Sequence, residues 1–165
     1  MTEWTAKIRE VVCEPPPWPQ PPGAIESADF LRACTRCDDC ATACPHNAIG
    51  PLPESDSPWS RTPALNPNTA PCHLCDDQPC VSACKPQALV SCPPDAIFFG
   101  LAAVDPQKCF VWQGPECGAC QPVCPLDAIE LDNGRPVIRT DACNGCGLCR
   151  LACPVWDKAI AIHFS

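Results

Sequence analysis

The sequence predicts a loop-rich α+β fold: two halves of small hairpins and short helices, stapled internally rather than held by a large apolar core. Three observations predict it. Most of the eighteen cysteines fall into four groups of one recurring spacing. Twenty-three prolines interrupt regular structure. The 46% hydrophobic share counts the cysteines, and without them about 35% remains, too little for an ordinary core. A chain of 165 residues fits one compact domain or two very small ones. One this rich in loops needs disulfides, metals or cofactors.

Residues 1–25 read as a short helix and a proline-rich arm. Trp4, Ile8, Val11 and Val12 share one helical face, and residues 13–24 (CEPPPWPQPPGA) are extended. The first half, residues 26–104, carries two cysteine groups. Cys34, Cys37, Cys40 and Cys44 sit in CTRCDDCATACPHNAI; Cys72, Cys75, Cys80 and Cys84 sit in CHLCDDQPCVSACKPQAL. The second half, residues 105–165, carries the other two. Cys109, Cys117, Cys120 and Cys124 sit in CFVWQGPECGACQPVCPLDAI; Cys143, Cys146, Cys149 and Cys153 sit in CNGCGLCRLACPVWDKAI.

Each repeat predicts the same local structure. The C-x2-C-x2-C stretch is an irregular loop. The C-x3-C step places two cysteines one helical turn apart, so a short helix follows. Proline ends that turn (Pro45, Pro86, Pro125, Pro154). A short strand then begins at Ala48-Ile49, Ala88–Val90, Ala128–Leu131 and Ala159–Ile162. Asn133-Gly134 predicts a tight hairpin between the third and fourth groups. Residues 50–71, rich in proline and serine, read as a surface loop.

The formal charge of −8 and pI near 4.7 argue against a nucleic-acid partner and for docking on a basic protein surface. No apolar run reaches the ~20 residues of a membrane span. The opening MTEWTAKIREVV shows no cationic or apolar leader region and no twin arginine. The expectation is therefore a cytoplasmic protein, periplasmic only if a leader is missing from this sequence. Cytosolic thiols stay reduced, which weighs against a disulfide framework.

The spacing points to iron and sulfur. A cubane needs four thiolates around a large inorganic core. In two-cluster ferredoxins C-x2-C-x2-C supplies three ligands, and the last cysteine of the group ligates the other cluster. Zinc cysteines come instead as two separated C-x2-C pairs. The reading is four [4Fe–4S] clusters on the sixteen grouped cysteines, in tandem ferredoxin-like halves of two clusters each.

Two pairings are open. In one, neighbouring groups exchange their last cysteines; in the other, the first group pairs with the fourth and the second with the third. The hairpin between groups three and four favours neighbours there. Cys92, in SCPPDAI, competes with Cys84 as a ligand, although the C-x3-C step favours Cys84. Cys13 reads as a lone thiol.

Other residues carry weaker signals. His73 lies inside the second group, where four cysteines are already present. His46 and His163 have less claim. Trp112 and Trp156 read as shields of clusters from water. Asp38, Asp39, Asp76 and Asp77 are acidic docking groups or simply solvated loop carboxylates. No phosphate loop, nucleophile–histidine pair or H-E-x-x-H is present, so nothing here performs substrate chemistry without the clusters, and an enzyme is not expected.

PPGAIESADFLRACTRCDDCATACP, PCHLCDDQPCVSAC, FFGLAAVDPQKCFVWQGPECGACQPVCP and DACNGCGLCRLACP together resemble the MauM/NapG-type ferredoxins. NapF-type ferredoxins are similar in the third group. The resemblance spans residues 20–165. It implies a ligand role for each of the sixteen cysteines. It also implies electron relay between a membrane quinol dehydrogenase and a terminal reductase or other redox enzyme. The alternatives it implies are a maturation partner of a molybdoenzyme and a wire subunit of a larger oxidoreductase. Lys85, where proline often follows the fourth cysteine, is a departure.

Overall fold

The computed structural model describes residues 16–164. The expected N-terminal helix and Cys13 lie outside these residues. The chain is a small mixed helix/strand fold. Its elements are α1 (Ser27–Ala33), α2 (Asp39–Ala43), β1 (Ile49–Pro51), β2 (Pro63–Leu65), α3 (Pro79–Ser82), a 3-10 turn (Pro94–Ala96), β3 (Leu101–Val104), α4 (Phe110–Gln113), β4 (Ile129–Asp132), β5 (Arg135–Ile138), α5 (Leu148–Ala152) and β6 (Ile160–His163). The strands form three antiparallel pairs, β1–β2, β3–β6 and β4–β5. Val104, where the first half was expected to close, is the last residue of β3 and pairs with Ile160 of the final strand.

The four repeats share one structural signature. Each leaves its last cysteine through a turn with a left-handed residue: Asn47 (φ 51°), Gln87 (φ 58°), Asp127 (φ 48°) and Lys158 (φ 30°). The alanine that follows each of these is buried: Ala48, Ala88, Ala128 and Ala159. A larger side chain there would strike the core, which explains why all four repeats place alanine directly after the turn.

Three repeats build the expected helical turn. Thr42, Ser82 and Leu151, each two residues past a cysteine, donate backbone N–H groups to Asp38, Gln78 and Gly147. In the third group this position is Pro122, which has no N–H to give. Residues 119–123 accordingly form turns, not the predicted helix. A helix does form upstream, α4, inside the stretched C-x7-C segment.

Two other expectations change. Residues 88–90 form no strand; instead Leu89 makes a single bridge to Ala24, and Val90 N–H donates to Gly23 at 2.8 Å. The proline-rich arm, having few N–H groups of its own, completes the core by covering this edge. The segment 50–71 is a surface loop only over residues 53–58. It supplies β2 and the buried Trp59, Thr62 and Leu65, and Trp59 stacks on Phe30 of α1 at 6.2 Å. Its prolines stiffen a segment that fills the space left by so few apolar side chains. The Asn133-Gly134 hairpin forms as expected, with φ of 49° and 79° at its two turn residues.

The buried side chains gather around the cysteines. One cluster holds Phe30, Trp59, Leu65, Leu74 and Phe99 together with Cys40, Cys72, Cys80 and Cys146. A second holds Ala102, Ile129, Ile160 and Ile162 with Cys120 and Cys149. A third holds Cys109, Cys153 and Ala159.

Candidate functional site

The cysteine loops are shaped by backbone handedness. Two positions after the first cysteine of the first, second and fourth groups stand left-handed residues: Arg36 (φ 58°), Leu74 (φ 51°) and Gly145 (φ 74°). Asp38 (φ 62°), Gln78 (φ 41°) and Gly147 (φ 90°) turn the chain again just before each helix. Alternating handedness aims successive N–H groups into a concavity suited to negative charge. The backbones of Arg36, Leu74 and Leu148 accordingly favour the thiolates of Cys34, Cys72 and Cys146, against the burial that raises all three. The N–H groups of Ala48, Ala128 and Ala102 donate to Cys44, Cys124 and Cys143 Sγ at 3.4, 3.3 and 3.5 Å.

These loops bring the cysteines together in fours. Site I is a cavity lined by Cys34, Cys37, Cys40 and Cys84. Site II is lined by Cys44, Cys72, Cys75 and Cys80. Site IV is lined by Cys124, Cys143, Cys146 and Cys149. At site III, Cys109 and Cys153 pack in one buried cluster, and Cys120 feels the charges of Cys117, Cys109 and Cys153. Each quartet takes three cysteines from one group and the last cysteine of its neighbour. Among the described residues no three His, Cys, Asp or Glu side chains gather closely enough for a single metal ion. The quartets surround space rather than converge on a point.

Burial makes these thiols poor thiolates on their own. Cys40, Cys72 and Cys149 are pushed up to about 12, chiefly by burial and further by neighbouring cysteines. Burial likewise pushes up Cys34, Cys75, Cys80, Cys120 and Cys146, and adjacent cysteines add to it. Four ionised sulfurs around one cavity need a cationic core to offset their charge. An all-sulfur donor set around one cavity fits the iron of a [4Fe–4S] cubane.

The remaining candidates are placed elsewhere. Cys92 lines a different cavity, beside Gln20 and Phe98, and its backbone is held at both ends by the Gln78 side chain. His73 and His46 stack face to face at 3.5 Å on the rim of site II, and burial lowers His73. Trp112 packs near Cys109 and Cys153 and carries Arg135 over its ring at 5.5 Å. Trp156 is 99% exposed and shields nothing, because the C-P-V-W-D-K insertion carries it out into solvent. Asp76 and Asp77 are exposed beside site II, while Asp39 lies 4.0 Å from Lys85. His163 pairs only through its backbone, in β6.

Sites II and IV abut. Cys72 N–H donates to the Cys146 carbonyl at 2.9 Å, and Phe99 N–H donates to the Asn144 carbonyl at 2.8 Å. Asn68 clamps β6 by exchanging two 2.8 Å bonds with the Ile162 backbone, and Arg150 Nε donates to the Asn68 carbonyl at 2.8 Å. A Cβ on Gly147 would stand 2.3 Å from the Pro67 carbonyl oxygen, and one on Gly145 2.5 Å from that of Gly100. Sequence reasoning about ligands missed Asn68, Asn144 and these glycines. The Asn-Gly and Cys-Gly steps in CNGCGLC were the available signal for the last three.

Similarity to known proteins agrees with this architecture. A family model described as a 4Fe-4S dicluster domain (Fer4_9) matches residues 115–160, which hold all four cysteines of site IV and all of site III but Cys109. The methylamine utilization ferredoxin-type protein MauM of Paracoccus denitrificans is 36% identical over 156 residues, 87% of this chain and 70% of that protein. The ferredoxin-type protein NapG of Escherichia coli is 32% identical over 159 residues, 87% of this chain and 69% of that protein. NapF of the same organism is 32% identical over 82% of this chain and 80% of its own length. No helix among the described residues is long and apolar enough to cross a membrane. With its cysteine loops repeated along the chain and its likeness to these relatives running through nearly all of it, the chain belongs to the MauM/NapG family of ferredoxin-type iron–sulfur proteins.

Proposed function

We propose that this protein is an electron carrier that relays single electrons through four [4Fe–4S] clusters, one at each of sites I to IV. The observation that carries the reading is the lining of the cavities. Three separate cavities each contain one complete quartet, built from three cysteines of one group and one from its neighbour. That exchange is the ligand pattern of paired cubanes. In this reading Cys84, not Cys92, is the fourth ligand at site I. The boundary between two ferredoxin-like halves falls ahead of β3.

The proposed path is I–II–IV–III. α2 joins sites I and II, since it carries Cys40 and is capped by Cys44. α5 joins sites IV and III through Cys149 and Cys153 in the same way. The hydrogen bond from Cys72 to Cys146 joins the inner pair. Electrons enter and leave at the two outer sites. The protein's own residues hold the sulfurs, exclude water from them and aim N–H groups at them; the clusters supply the redox change. In this reading a quinol-oxidising membrane protein stands at one end and a terminal redox enzyme at the other, as the family resemblance implies. Cluster insertion needs reduced thiols, a condition the cytosol supplies.

Anaerobic reconstitution followed by iron and sulfide assay and EPR of the reduced protein tests this reading. Four cubanes' worth of iron and sulfide, with spin coupling between clusters, is expected. A colourless folded protein holding zinc would refute it.

A further inference from the structure

Asn144 follows Cys143 in the fourth cysteine loop and is 5% exposed. Its side-chain oxygen accepts a hydrogen bond from Cys146 N–H at 3.2 Å, and its carbonyl accepts one from Phe99 N–H at 2.8 Å. The first bond fixes which end of the amide is oxygen. The other end, Nδ2, is buried and has no hydrogen-bond partner among the described residues. Buried donors left unpaired are rare and call for an explanation.

The surroundings supply one. Asn144 lines the site IV cavity, whose lining is otherwise cysteines, glycines and apolar side chains. The only side-chain acceptors that lining offers an amide are sulfurs. The residue in the same place at the other sites is different: Thr35 and Phe110 are exposed, and His73 is half-buried and stacked on His46. The fourth loop alone buries an amide there.

We propose that Asn144 Nδ2 donates a hydrogen bond to a sulfur of the cluster at site IV and raises that cluster's reduction potential. The inference rests on the reading of site IV as a [4Fe–4S] site. Reduction adds one electron to the cluster, so a donor to its sulfur stabilises the reduced form more than the oxidised form. Asn144 is a positioning and tuning residue, since it ligates no iron. Site IV sits beside the junction with site II, so its potential governs whether an electron pauses there or passes on.

The test is an EPR-monitored redox titration of the reconstituted full chain, wild type against Asn144→Ala and Asn144→Asp. Asp keeps an oxygen for Cys146 N–H but removes the donor; Ala removes both without adding charge. Iron content should be unchanged. One of the four midpoints should fall by about tenfold in its reduction equilibrium, about 59 mV for one electron, while the other three hold still. Fully loaded variants with unmoved potentials overturn the role of Asn144 alone, as does a fall confined to Asn144→Asp when Asn144→Ala is loaded. If Asn144→Ala loses iron, the isosteric Asn144→Leu, which also removes the donor without adding charge, decides: a fall supports the role and an unmoved set overturns it. Wild-type protein with no cubane at site IV overturns the reading of the site as well.

Discussion

The amide of Cys72 donates to the carbonyl of Cys146 across 2.9 Å, joining the backbone of a cysteine at site II to the backbone of one at site IV. Residues 74 positions apart in the chain are thereby placed in the same core, where Cys146 packs with Cys72 and Leu74. The contact is close because nothing intervenes. Gly145 and Gly147 flank Cys146, and both press bare backbone against residues 100 and 67.

Gly147→Ala should therefore disrupt the junction. Its φ of 90° disfavours any L side chain, and the new Cβ would meet the Pro67 carbonyl at 2.3 Å. A loss of about 2 kcal/mol or more is expected, read as a lower urea midpoint of the cluster-loaded protein. Electron equilibration between the two pairs of clusters should slow in the same variant, as seen by rapid freeze-quench EPR.

Cys84 and Cys92 separate cleanly by substitution. Cys84 lines site I with three other cysteines, whereas Cys92 lines a cavity that contains no other cysteine. Cys84→Ser should lose or alter one cluster, and Cys92→Ser should keep all four. Iron content and the reduced EPR spectrum of each variant check this. Loss of a cluster in Cys92→Ser alone would reassign the ligand.

Acid should strip the clusters. Cysteine binds iron only as thiolate, so protons compete with the metal. Burial raises Cys40, Cys72 and Cys149 from 9.0 to about 12, so the free thiols hold their protons across the whole neutral range. Each step down in pH therefore favours the protonated, cluster-free state, and each step up favours retention until the free thiols themselves ionise. The half-life of the cluster absorbance in the presence of an iron chelator should shorten from pH 8 to pH 5. A pH-independent half-life would contradict the role of these thiols as ligands.

Trp156 should be dispensable for folding. It is 99% exposed and belongs to no buried cluster. Trp156→Ala is expected to change stability by no more than about 0.5 kcal/mol, measured as the melting temperature of the loaded protein. It lies three residues beyond Cys153 of site III, so slower electron exchange with a partner, at unchanged stability, would mark that end as a docking face.

Much of the local structure was legible because it depends on short-range spacing. C-x3-C places two sulfurs a helical turn apart wherever the backbone can close that turn, and Asn133-Gly134 favours the left-handed pair that its hairpin needs. Pro122 was equally legible as a missing donor, and it alone removes the helix expected in the third group. The buried alanine after each repeat's turn also repeats in the sequence before its purpose is visible.

Residues 50–71 show where such reading stops. Proline and serine in that stretch carry the composition of a surface loop, yet Trp59 and Leu65 are 2% and 0% exposed. Their burial depends on α1 lying opposite, a relation that no local pattern encodes. The partner of residues 88–90 is likewise an arm more than sixty residues earlier.

The sequence by itself determined the chemistry: sulfur donors in groups of four, on loops too poor in apolar residues to fold without a staple. Spacing suffices for that, because the reach of a few residues limits which sulfurs can share a loop. Only the tertiary structure decided which group's last cysteine lines which quartet, that Cys92 stands apart from the quartets, and that sites II and IV meet at Cys72 and Cys146. Those relations are set by long-range packing of glycine backbone, Asn68 and the buried Asn144, whose energies depend on neighbours distant in the chain.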